Sequence, residues 1–286
     1  MTKLLDILLE VLRESKPIKF SEEEILDMED IYGSFQNKVK NFGQGNLKDF
    51  IEHIKTTNKT PYLGRILLKG SPKYGSDNFN YAIEVFLVYK EKSSKGGEYS
   101  RIGSKKKINI NVNSKYVTSK ELFFIVLQHE LAHARDPKIA KTSLSDKIDD
   151  RVKNKEKKDA SNKYFKYLKR EKEFDAFSSS FANQIEKNMS RLSNEEQQDL
   201  KKSIRELLNY LLSTLKSYPN SNLKYKDFDD ITDNILVDVT DSLFVIKDLA
   251  FDGDGVAAED FIFNLTYYLN KPSQFKKYVQ RLARLL

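Results

Sequence analysis

The chain has 286 residues, 39 % hydrophobic and 32 % charged, enough apolar material for a sizeable core and too much for disorder throughout. Lys and Arg outnumber Asp and Glu by 49 to 42, a net charge of +7 that favours anionic partners without identifying one. The absence of cysteine excludes disulfide scaffolds, iron–sulfur clusters and thiol nucleophiles, so any metal must be held by His, Asp and Glu.

In chain order, the first segment places Leu4, Leu5, Leu8, Leu9 and Leu12 on one helical face. Asp6 and Glu10 interrupt it, so it reads as an amphipathic helix and not as a signal peptide. Ser21 with Glu24 makes a capping box that opens a second helix, and Gly43-Gln44-Gly45 separates it from a third near 46–57. Segments 62–69, 79–90 and 105–112 read as strands, joined by turn-rich connectors at 71–78 and 92–100. In the last strand Ile108, Ile110 and Val112 alternate with Asn109, Asn111 and Asn113, which predicts one buried and one wet face. Thr118 and Glu121 form a second capping box, opening a buried helix that Pro137 ends. The stretch 138–162 is polar and lysine-rich, and helices are predicted over 163–189, 194–217, 228–249, 256–270 and 273–285. The fold class is α+β: a small antiparallel or mixed sheet with a buried helix, then a mainly helical part. The division is 1–136 and 137–286, expected to act as one integrated unit with a cleft between. No apolar run reaches the ~20 residues of a membrane span.

That buried helix carries His129-Glu130-Leu131-Ala132-His133, two of the three histidines in the chain. Residues i and i+4 share a helix face, so both imidazoles can reach one ion, and Glu130, about 100° round the helix, can reach a water on it. The alternative is a helix whose two histidines find other buried partners. Among the remaining features, His53 reads as a helix residue without a role. Residues 248–259 match a calcium loop only partly and read as an interhelical turn. The lysine-rich run from Arg151 to Lys172 is a weak candidate for nucleic-acid contact.

The HELAH segment, with an alternating strand before it, resembles the active-site helix of the zincin metallopeptidases. That resemblance implies Zn²⁺ bound by His129 and His133, Glu130 as general base and acid, and a peptide or protein substrate lying along the 105–113 strand. It departs from the metzincins, because Asp136 and Ile139 stand where their glycine and third histidine would be. Residues 171–177, Glu-Lys-Glu-Phe-Asp-Ala-Phe, resemble the second helix of the gluzincins. The gluzincin pattern implies Glu171 as third ligand and Asp175 as the carboxylate that orients a ligand histidine. Two other carboxylates compete for the metal. Asp136 lies at i+7 from His129 but precedes Pro137, which disfavours helical geometry there. Glu173 points about 200° away from Glu171 on the same helix. Tyr167, four residues before Glu171, is a weak candidate oxyanion donor.

The expected function is therefore zinc-dependent peptide-bond hydrolysis in the cytoplasm. The bias to Lys, Asn and Ile, as in low-GC bacteria and their phages, adds the virion as a second location. The competing reading is a non-catalytic interaction or phage structural protein that keeps the same fold.

Overall fold

A computed structural model describes residues 20–68, 81–91, 96–102, 105–135, 171–217, 234–235 and 237–286. The amphipathic segment 2–14, Asp136, the lysine-rich run to Arg170, and Tyr167 lie outside the described residues, as does the side chain of Glu171. The chain divides into two compact units, whose described parts are residues 20–135 and 171–286.

The first unit is α+β. Helix α1 (Glu22–Phe42) starts at the expected capping box: Glu24 N–H donates to Ser21 Oγ and Ser21 N–H to Glu24 Oε2. Helix α2 (Leu47–Thr57) is capped by Asn46, whose Oδ1 accepts from Lys48 N–H. Four strands follow: β1 (Tyr62–Leu68), β2 (Tyr81–Val88), β3 (Gly97–Ile102) and β4 (Lys105–Asn111). The sheet runs β1-β2-β4-β3, with β2 and β4 parallel and the other two pairs antiparallel.

Two findings differ from the sequence reading of this region. The segment 92–100, read as a connector, contributes strand β3, because pairing with β4 supplies the order that Gly97-Glu98-Tyr99-Ser100 lacks as an intrinsic preference. Strand β4 therefore has a neighbour on each side, so its backbone is not open to a substrate and β3 is the edge. Alternation in β4 is as expected for Ile108, Ile110 and Val112, all fully buried. Asn111 is buried as well, because its Oδ1 accepts from Lys90 N–H and Asn113 N–H where the chain leaves β2 and β4.

A short 3-10 turn (Lys115–Val117) leads into helix α3 (Lys120–Arg135). Thr118 does not cap it. Thr118 closes the 3-10 turn with helical backbone angles and donates its hydroxyl to Lys115 O, and Ser119 accepts from Leu122 N–H instead. Every residue of α3 from Glu121 to His133 is buried. Its apolar half packs into the core that α1, α2 and the sheet share. There Phe123 stacks on Phe35 at 5.2 Å and meets Tyr32 edge-on at 5.3 Å.

The second unit is helical: α4 (Glu171–Met189), α5 (Asn194–Ser217), α6 (Thr240–Val245) continuing into a π turn (Ile246–Ala250), α7 (Gly255–Tyr267) and α8 (Pro272–Ala283). Helix α5 turns Leu200, Ile204, Leu207, Leu208 and Leu211 inward at helical spacing. Aromatic rings fill the core. Phe174 meets Tyr268 edge-on at 4.8 Å, and Phe181, Phe251 and Phe261 contact one another. The carbonyl of Ala250, at the end of the π turn, accepts from Asn188 Nδ2 at 2.9 Å. Within 248–259, only residues 251–254 form the interhelical turn the sequence suggested, the rest belonging to the π turn and α7: Asp252 and Gly253 take positive φ, and Asp254 caps α7 through Ala257 N–H. Among the described residues no helix is long and apolar enough to cross a membrane.

Candidate metal centre

Helix α3 presents the two histidines one turn apart, with only 4 % of His129 and 8 % of His133 exposed. Their Nε2 atoms stand 3.0 Å apart and their rings lie nearly perpendicular. Two nitrogens on a tetrahedral zinc, each about 2.05 Å from it, sit about 3.3 Å from one another. The observed spacing is close to that of a chelating pair. It also suits a hydrogen bond between neutral rings, which would need no third partner.

Ligand-capable atoms of His129, His133 and Glu173 all lie within 4.8 Å of one another. Two imidazoles and a carboxylate are a donor set that a divalent transition metal accepts, so the chain carries a possible His-His-Glu metal site. Glu173, one of the two alternative ligands named from the sequence, is buried on α4. Glu171 is the first residue of that helix. Asp175 is a half-buried carboxylate whose Oδ1 accepts from Arg281 of α8 at 2.5 Å. The Arg281 guanidinium also reaches Ser178 Oγ and lies 5.2 Å over the Phe174 ring.

Glu130 sits between α3 and the sheet edge, only 4 % exposed, and its Oε2 accepts the backbone N–H of Tyr99 on β3 at 2.7 Å. Sequence reasoning missed this partner because it missed the strand; the one hint was the Gly96-Gly97 doublet, which marks a close backbone approach. Burial raises the Tyr99 phenol above its ordinary value, so it is neutral near pH 7. One residue further along β3, and on its opposite face, Ser100 pairs with Lys107; Arg101 stands opposite Lys106. Burial and the Arg101 charge lower Lys106 to about 8.

The last turn of α3 is fixed from outside. Arg135 bridges both oxygens of Glu24, the residue that also completes the capping box of α1, and lies 4.8 Å over the Phe20 ring. His53, the third histidine, stacks on Phe42 at 5.5 Å away from this cluster. No protein-family model, curated protein or solved structure matches the chain.

Proposed function

We propose that the chain is a zinc-dependent peptide hydrolase of the zincin kind. One observation carries this reading: His129, His133 and Glu173 gather ligand atoms within 4.8 Å on a helix pattern that puts Glu130 beside them. In it His129 and His133 hold the zinc, and a carboxylate from the 171–175 segment completes the site. We assign that place to Glu173, two residues beyond the position that the gluzincin pattern gives to Glu171. Bound zinc supplies an acidified water, with a pKa near 7, and polarises the scissile carbonyl.

The remaining work falls to the chain. Glu130 takes the proton of the attacking water and delivers it to the departing amine nitrogen, so one carboxylate serves as base and then as acid. The burial of His129, Glu130 and His133 keeps competing water away and strengthens each charge in the site. The Arg281 contact holds Asp175 within its own helical unit, and in this reading Asp175 stabilises α4 beneath the ligand carboxylate.

The test is metal analysis joined to a peptide-cleavage screen. Wild type is expected to retain about one zinc per chain, and His133→Ala to lose it. Glu130→Gln should keep the metal and lose ~10²–10⁴-fold in rate. Glu173→Ala should weaken zinc binding far more than Glu171→Ala; the reverse order moves the ligand to Glu171. Protein that never takes up zinc sinks the proposal. Protein that binds zinc and cleaves nothing is an interaction protein with a structural metal.

A further inference from the structure

Glu130 leaves α3 about 100° away from the histidine face, so something must steer its carboxylate. The edge strand supplies that constraint. Asn111 N–H donates to Gly96 O, and bonding alternates along an antiparallel pair, so residues 98 and 100 bond to β4. The N–H groups of residues 97, 99 and 101 therefore point off the edge. That of Tyr99 is taken by Glu130 Oε2 at 2.7 Å.

Gly97 sets the distance. Its φ is not in the left-handed region, so the backbone alone does not demand glycine here. Space does. A Cβ on Gly97 would come within 2.8 Å of Glu130 Cγ, 3.0 Å of Val126 Cγ2 and 3.1 Å of Glu130 Oε1. An alanine there must push Glu130 or lift β3 away from α3.

We infer that Gly97 and the Tyr99 backbone N–H form a positioning clasp for Glu130. The N–H pins Oε2, the bare Cα lets the side chain lie flat against the strand, and Oε1 is left to exchange a proton. Neither residue touches substrate; both act through Glu130. The inference deepens the hydrolase reading for its kinetic consequence, while the clasp itself has a separate readout.

That readout is amide hydrogen exchange of the full-length protein. The Tyr99 amide should be protected in wild type and in Glu130→Gln, whose amide oxygen still accepts. In Glu130→Ala it should exchange at least ten times faster, with the Glu98 and Ser100 amides unchanged. Equal Tyr99 exchange in wild type and Glu130→Ala overturns the clasp. The kinetic arm is Gly97→Ala. A displacement near 1 Å can cost about 10²-fold. We expect kcat to fall 10- to 100-fold with KM within twofold, one zinc per chain and a cooperative melting transition lowered by only a few degrees. A wild-type kcat overturns the positioning role, and so does a loss that follows zinc loss or unfolding. If wild type cleaves no peptide, the hydrolase reading fails, and the exchange experiment still decides the clasp.

Discussion

Helices α3 and α4 are both largely buried and divide their polar groups differently between local bonds and bonds that reach other elements. On α4, Ser178 and Ser180 donate to the carbonyls of Phe174 and Ala176, one turn back on the same helix. These donations demand nothing of other elements, although Ser178 Oγ and Asp175 also accept from Arg281 of α8. On α3, Glu130 is satisfied by strand β3, and Arg135 by helix α1. A polar group that closes on its own helix is a packing solution. One that must find a partner elsewhere fixes the relative place of two elements, and fixed geometry is what chemistry needs.

Three substitutions in the helical unit sharpen this contrast. The largest effect belongs to Arg281, which ties α8 to α4 through charge. Arg281→Met should cost about 2 kcal/mol in urea unfolding, moderated because Asp175 is half-exposed to water. Tyr278→Phe should go the other way. The Tyr278 hydroxyl is fully buried with no hydrogen-bond partner among the described residues, and burial pushes its pKa well above the usual phenol range. Removing it should stabilise the chain by about 1 kcal/mol. The smallest change is Ser180→Ala, expected within about 0.5 kcal/mol of wild type because its bond is local and the Ala is a better helix former. If Ser180→Ala costs as much as Arg281→Met, the distinction between local and reaching bonds is broken.

The Lys106 site adds a prediction in pH. Its pKa is lowered to about 8 from 10.5, so the unfolded chain binds more protons between those values. Stability therefore rises as pH climbs from about 8 to 10.5, and the penalty is fully present below 8. Lys106→Gln should stabilise the chain slightly at pH 7, by a few tenths of a kcal/mol, since Lys106 is only partly buried and water screens its charge. The gain should vanish near pH 10.5.

The features legible in the sequence were those encoded at short range. HELAH announces itself because i and i+4 share a face, and the Ser21–Glu24 box closes within four residues. Helix α5 was bounded correctly at 194–217 because its leucines keep the period of 3.6 throughout. What was missed depends on distant partners. Strand β3 has no alternation of its own and exists through β4. Arg281 lies 106 residues beyond Asp175, so no local pattern could pair them. Ser119 displaced Thr118 as the cap of α3 because the preceding 3-10 turn consumes Thr118, and a capping rule applied to one helix at a time does not see its neighbour.

The Arg135–Glu24 pair spans 111 residues of sequence. Closing a loop of that length from the open chain costs about 4 kcal/mol in entropy, more than one ion pair returns. It can form only after the sheet and α1 have already brought the ends together. During folding, the last turn of α3, which carries His133, is therefore anchored to α1 late. On the hydrolase reading, zinc uptake on refolding should lag behind the recovery of helix signal, with the docking of α1 as the step that precedes it.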